Sequence, residues 1–508
     1  MIVKGSSSLL NPTLARAMTD LRNTFDDLNR QLTTGKKSET YGGLGDARSI
    51  SLSMRARLSE TDGYRDTISD VKVRVDLMSS TLERIINLGT EQRADTAPTE
   101  NTLIGNGQTR AQLAAGTRFQ EALSLLRTEV NGRHLFAGKT TEATPVEDAA
   151  TILNGKGTQA GLREIIAERR LADRGVVDVD LAGDDSVGRV SISAPTGTAF
   201  TLTEDGDHSF GFKLAGGSTS IPGATISAPS GVAPQAITVD LPTQPAAGQV
   251  IRFSFKLPDG TSDEIVLTAA TSSTRPDEFA IGATEADTVK NLRDVLVNQL
   301  DLRSKTTLAA ASSVVAADSF FAAGPNTPPK RVPSPPETAT TLIDGTPNDT
   351  VTWYSGDDDP STSGRDSITA RIDRSVTVSY GVRANEDGIT RNMKALAIFA
   401  AQIYQPNDPN QAELHKALSN RVRSALTPGD GGDSPTTIQI ELAGVQRSID
   451  AISDRHETIR GVTQDLLDQT ENVNTQEVAT QILAVNTRLQ ASYQTTSMLS
   501  KLTLVSYL

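Results

Sequence analysis

Leu14-Ala-Arg-Ala-Met18-Thr-Asp-Leu21-Arg-Asn-Thr-Phe25-Asp-Asp-Leu28-Asn-Arg-Gln-Leu32 is the stretch from which the fold can be read. Leu14, Met18, Leu21, Phe25, Leu28 and Leu32 recur at spacings of 4, 3, 4, 3 and 4. An α-helix closes a turn in about 3.6 residues, so this rhythm predicts one helix with all six side chains on one face. The strict alternation of 4 and 3 is the heptad pattern of helices that pack along a seam. Asp20, Asp26, Asp27 and Arg30 fall outside that seam. Asn11-Pro12 suits the entry, because proline lacks an N–H that a first helical turn could not bond in any case. Gly35, then Gly42, Gly43 and Gly45, end the helix.

The same rhythm recurs further along. Tyr64, Ile68, Val71, Val75, Met78, Leu82 and Ile85 predict a second helix that fades near Gly89, and a third is expected over about 109–130 through Leu113, Phe119, Leu123 and Leu126. Towards the C-terminus, Leu442, Val445, Ile449, Ile452, His456 and Ile459 keep the pattern, with Leu466 and Val473 extending it. At 1.5 Å per residue that helix would be roughly 50 Å long. Val478, Ile482, Val485, Leu489, Leu499 and Leu502 carry a last seam. A long amphipathic helix needs a partner for its apolar face. The N-terminal helices are the natural partners, and seams of this length and regularity at both ends favour packing between molecules.

Between about 141 and 385 the texture changes to Gly, Thr, Ser, Ala and Pro with period-2 alternation. Ile251, Phe253, Phe255 and Leu257 alternate, Pro258-Asp-Gly260 turns, and Ile265 and Leu267 resume, which predicts a β-hairpin. Phe210, Phe212 and Leu214 alternate after Asp205-Gly206, and Ile368, Ala370, Ile372, Val376, Val378 and Tyr380 give another strand signal. One short helix is expected through Val289, Leu292, Leu296 and Leu300, and the prolines between Pro325 and Pro336 mark an extended loop. The expected architecture is α + β and multidomain: a long helical coiled-coil or bundle core from both termini, carrying an inserted, mostly-β variable domain. Its expected bounds are 1–45 with 474–508 for the terminal helices, 46–140 with 386–473 for a helical rod, and 141–385 for the insert.

Composition narrows the chemistry. The 508 residues include no cysteine and four histidines, and the net charge is −13. Without cysteine there are no disulfides, thiolate zinc sites, iron–sulfur clusters or cysteine nucleophiles. His134, His208, His415 and His456 lie far apart, so no helical metal motif exists and they read as surface or packing residues. The acidic balance argues against sequence-independent binding to nucleic acid. Residues 1–100 carry 14 basic and 14 acidic groups, residues 436–508 carry 5 and 8, and about −10 of the charge therefore lies between. Near-neutral ends and an acidic middle suggest packed ends and a solvated middle. The first ten residues lack the apolar run of a secretory signal. The longest apolar stretch, Ala395–Ala401, is far short of the ~20 residues that span a bilayer.

No catalytic constellation is found. Gly155-Lys-Gly157-Thr-Gln-Ala160, followed by a helix-like stretch from Leu162 to Arg170 and by Asp178 and Asp180, mimics a dinucleotide fingerprint. The preceding strand is meagre and no series of βαβ units follows, so it reads as a glycine turn before a short helix. Asp357-Asp358-Asp359 lacks the alternating oxygen ligands and glycine of a calcium loop and reads as a solvated acidic loop.

Three segments carry a resemblance. Arg30-Gln-Leu-Thr-Thr-Gly-Lys36, Val130-Asn-Gly-Arg-His-Leu-Phe-Ala-Gly138 and the closing Leu502-Thr-Leu-Val-Ser-Tyr-Leu508 resemble the flagellin family, and within it the members that join hook to filament. Ser379-Tyr-Gly-Val-Arg-Ala-Asn-Glu386 is similar to the same group. The resemblance covers about 1–140 and 386–508. His134 stands where the family has tyrosine, and the insert of about 245 residues is long for a junction member. The resemblance implies a hairpin-shaped, non-enzymatic subunit, exported to the flagellum outside the cell through a type III channel without a cleaved signal. It further implies an assembly interface at Leu14, Met18, Leu21, Phe25, Leu28, Leu32, Val478, Ile482, Val485, Leu489, Leu499 and Leu502. The implied partners are copies of the chain itself in a ring or helical array, flagellin, a neighbouring hook-associated protein and an export chaperone. No cofactor, metal, nucleic acid or membrane insertion is implied.

Overall fold

The computed structural model describes residues 11–427 and 434–505, with side chains from 13 to 427 and 434 to 498. The chain is mixed α and β. Eleven α-helices are present among the described residues: α1 (Asn11–Thr34), α2 (Arg48–Asp95), α3 (Arg110–Leu126), α4 (Ala149–Asn154), α5 (Leu162–Arg174), α6 (Glu285–Lys305), α7 (Thr307–Phe321), α8 (Asp387–Ala401), α9 (Gln411–Ala425), α10 (Pro435–Glu471) and α11 (Thr475–Val505). Two compact units divide it. The first runs to Lys72 and takes in Arg371–Val378 and the chain from Arg447; the second holds Val73–Ala370 and Ser379–Gln446.

In the second unit, a five-stranded antiparallel sheet runs in the order Asp185–Val187, Val190–Ile192, Ala199–Glu204, Ala236–Asp240, Thr225–Ile226. A four-stranded sheet runs Glu278–Ala280, Ser262–Ala270, Val250–Lys256, Lys213–Thr219. The hairpin read from alternation is its centre, with Ile251 opposite Leu267 and Phe253 opposite Ile265. Inward residues of both sheets share one core with Val289, Leu292, Leu296, Val297 and Leu300 of α6. Thr284 caps α6 by accepting from the Asp287 N–H, and the Asp287 carboxylate accepts from the Thr284 N–H in return. Such a reciprocal box satisfies two donors that a helix start leaves open.

The middle of the chain is less β-rich than its composition suggests, because α4, α5, α6 and α7 share it with the strands. Helix α7 is the instructive miss. Its sequence, TLAAASSVVAADSFF, has buried residues around much of its circumference, the consecutive Leu308, Ala309, Ala310 and Ala311 among them. A helix covered on all sides has no polar stripe and so no amphipathic period. It packs on α5, α6, α8 and α9. The Phe321 ring packs tilted against Trp353, with centroids 5.0 Å apart, and the Trp353 indole N–H donates to the Phe321 carbonyl. The proline-rich stretch is also packed rather than free: Val332 and Ala339 are buried in a small cluster with Ala172 and Phe210.

Helix α2 continues through Gly89 to Asp95 instead of fading there. At Gly89 a Cβ would meet the Asn392 side chain of α8 at 3.1 Å, tighter than ordinary contact, so a larger residue would have to push that side chain aside. The last carbonyls of α8 lack basic residues of their own helix. Partners distant in sequence satisfy them: Gln108 Nε2 donates to the Ala400 carbonyl at 2.8 Å, and Arg163 Nε to that of Ala401 at 3.1 Å. Arg170 completes the cap by donating to Gln402 Oε1, and burial without a carboxylate partner lowers its pKa to about 10.

Candidate assembly surface

The first unit is built from the pair α1 and α11 and from the parts of α2 up to Lys72 and of α10 from Arg447. Helix α1 packs on α11. Leu28, Val478, Val485 and Leu489 are buried in one cluster, with Leu21, Phe25, Ile482 and Val473 half-buried around it. Of the residues singled out in the sequence, these seam positions therefore come together. Leu14 and Met18 are half-buried, and the Thr496 hydroxyl lies 3.7 Å from Met18 Sδ. Leu32 does not join them; it is 40% exposed. Leu499 and Leu502 lie on α11 with their side chains outside the described residues. From Thr475 to Met498 only Val478, Val485 and Leu489 are buried, while Leu483, Tyr493 and Met498 face outwards.

Helices α2 and α10 pair antiparallel. Arg460 Nε bonds Asp62 at 3.0 Å, His456 stacks on Tyr64 at 5.7 Å, and Lys72 Nζ bonds Asp450 at 2.7 Å. In the part of α10 from Arg447 the buried face runs through Ile449, His456, Thr463, Leu467 and Glu471. Leu466, expected in the seam, is 43% exposed and Leu467 takes its place. Polar residues occupy three of those five positions; the expected seam residues Ile449 and His456 are buried, and hydrophobicity misplaces the stripe by one residue only at Leu466.

The hairpin of Thr369–Arg371 and Thr377–Ser379 lends its tip to this unit. Ile372 is fully buried, and its carbonyl accepts from His456 Nε2 at 2.9 Å, which places the ring proton on that nitrogen. Asp373 pairs with Arg455, and Arg374 lies 3.7 Å from Glu60. Helix α10 ends at Glu471, and Val473 falls in the connection to α11. There Val473 N–H donates to the Gly35 carbonyl at 2.9 Å and Lys37 N–H to that of Glu471 at 2.8 Å. Gly35, at φ 68, supplies the left-handed conformation that turns the chain out of α1. Hydrogen bonds from Arg55, then Ser51, hold the Glu471 carboxyl down at about 2 despite its burial.

The other motifs are accounted for by structure. Gly155 ends α4 and Gly161 precedes α5, so the glycine-rich segment links two helices instead of a strand to a helix. Asp358 accepts from the Asn326 N–H at 2.7 Å, and Asp359 accepts from Ser361 and Thr362, which lowers its pKa to about 2. His134 and His208 are half-buried against Arg127 O and Asp205; His415 is fully buried between Tyr404 Oη and the Ala97 carbonyl. Among the described residues no group of three or more His, Asp or Glu could hold a metal ion, and no helix is long and apolar enough to cross a membrane.

Sequence inspection missed one meeting of segments. Asn131-Gly132, with φ of 54 and 72, turns a tight hairpin between Glu129–Val130 and Arg133–His134. The buried Leu135-Phe-Ala137 that follows pairs with the chain at 383–384: Ala384 N–H donates to the Phe136 carbonyl at 2.9 Å, and Ala137 bridges Arg383. The segments 130–138 and 379–386 thus lie side by side at the two ends of the middle region. Asn131-Gly132 is a turn signal that could have shown the first, but nothing in either segment points to the other as its partner. Searched against known proteins, the chain matches no protein-family model and no curated sequence.

Proposed function

We propose that the protein is a structural subunit of the bacterial flagellum, of the hook–filament junction type (hook-associated protein 3). In this reading α1, α2, α10 and α11 form a helical core that polymerises, and the sheets are an inserted outer domain. The observation that carries it is the sparse burial of α1 and α11. Each commits one narrow stripe to the other, and Leu32, Leu483, Tyr493 and Met498 remain exposed. Apolar side chains left exposed on both helices of the pair are what packing against a further copy would cover. The adjacency of 130–138 and 379–386, both similar to junction-type segments, supports the family reading. Copies of the chain, flagellin, a neighbouring hook-associated protein and an export chaperone are the proposed partners, and the flagellum outside the cell is the proposed location. No catalytic role is proposed.

The size of the middle region favours a second reading, bulk filament flagellin. A deletion strain separates the two. Filament loss with monomeric flagellin secreted into the medium supports the junction role; hooks with no secreted flagellin support the filament role. A deletion strain with normal filaments overturns both.

A further inference from the structure

We propose that Glu471 is a clasp that sets the direction in which the α1/α11 pair leaves the α2/α10 pair. The buried cluster of α1 and α11 contains no described residue of α2 or α10, so the two pairs have separate apolar cores. Their connection is polar: beside the Val473 N–H bond to the Gly35 carbonyl, Glu471 enters it through both its carbonyl and its carboxylate. The Glu471 carbonyl accepts from the Lys37 N–H, which ties the chain leaving α1. Its carboxylate accepts from Arg55 Nε at 2.8 Å, Arg55 Nη2 at 2.6 Å and Ser51 Oγ at 2.5 Å, which ties the first turns of α2. Lys37 Nζ adds a bond to the Gln469 carbonyl at 2.6 Å, and residues 36 and 472 form an antiparallel bridge.

A forked, charge-assisted contact fixes direction as well as distance. An apolar contact would permit sliding; two parallel N–H···O bonds do not. Arg55 is itself 45% exposed, so losing Glu471 returns its guanidinium to water and loosens the joint without unfolding either pair. The inference rests on this geometry whatever the subunit assembles into.

The native chain has no cysteine, so paired cysteines introduced at exposed sites carry spin labels uniquely. In full-length protein, labels at Asp20 and Asp66 report α1 against α2, labels at Asp20 and Gln490 report α1 against α11, and labels at Asp66 and Glu457 report α2 against α10. Glu471→Gln and Arg55→Met should each broaden the first distance distribution at least twofold and leave the other two narrow. The double variant should be no broader than either single one. An unchanged first distribution, or equal broadening of the third, overturns the clasp. Should Glu471→Gln fail to fold, Ser51→Ala decides: it removes one donor, so partial broadening is expected and none refutes.

Discussion

Placing a charge in the α1/α11 seam tests the central packing claim. Leu28 is 7% exposed and sits among Val478, Val485 and Leu489. Burying a leucine contributes about 1.5–3 kcal/mol, so these four side chains together contribute about 6–12 kcal/mol. Leu28→Asp removes one share. It also leaves a carboxylate facing three apolar side chains, which regains water only by opening the seam. A net loss of about 3 kcal/mol is therefore expected, a roughly hundredfold rise in the open population at 1.4 kcal/mol per decade. Amide exchange in α1 and in α11 up to Leu489 should accelerate by that factor. Exchange in the strands Val250–Lys256 and Ser262–Ala270 should stay within twofold of wild type, since their core shares no residue with the seam. Leu32→Asp supplies the contrast. With Leu32 already exposed, it should leave monomer exchange unchanged yet raise the critical concentration for polymerisation measured by sedimentation. Unaltered α1 exchange in Leu28→Asp would sink the packing claim; normal polymerisation of both variants would sink the assembly claim.

Two other perturbations probe the second unit. Gly188 has φ 63, and a Cβ there would lie 2.3 Å from the Phe212 ring, so Gly188→Ala should cost about 2–4 kcal/mol and lower the melting temperature; an unchanged melt refutes the close packing. Burial lowers the pKa of His415, so the fold holds the neutral ring while the unfolded chain takes up a proton below about 6.5. The stability this supplies is present above that pH and is lost as pH falls towards the depressed folded value. The melting temperature between pH 7 and 5 should thus fall more steeply in wild type than in His415→Gln, and equal slopes would refute it.

The heptad helices and the Val250–Ala270 hairpin were legible in the sequence because each exposes one side to water. Water on one face forces polar residues there, and the resulting period shows what the element is. Where burial is complete the signal vanishes: α7 escaped notice because buried residues line most of its circumference. Where a buried face is polar the signal shifts, and Leu466 was read into a seam that Thr463, Leu467 and Glu471 occupy.

Local chemistry therefore determined the amphipathic helices, the Val250–Ala270 hairpin and the absence of thiol chemistry. Those depend on side-chain period and composition, which are properties of a short stretch. Tertiary structure alone decided which residues, hundreds of positions apart, satisfy one another. Examples are the Arg163 and Gln108 caps on α8, the Ala137–Arg383 bridge, the lodging of Ile372 beside His456 and the fork of Arg55 on Glu471. A lone arginine or glutamate carries no periodicity. Its partner is chosen by where the folded backbone delivers a complementary atom, and that place exists only after the helices have packed.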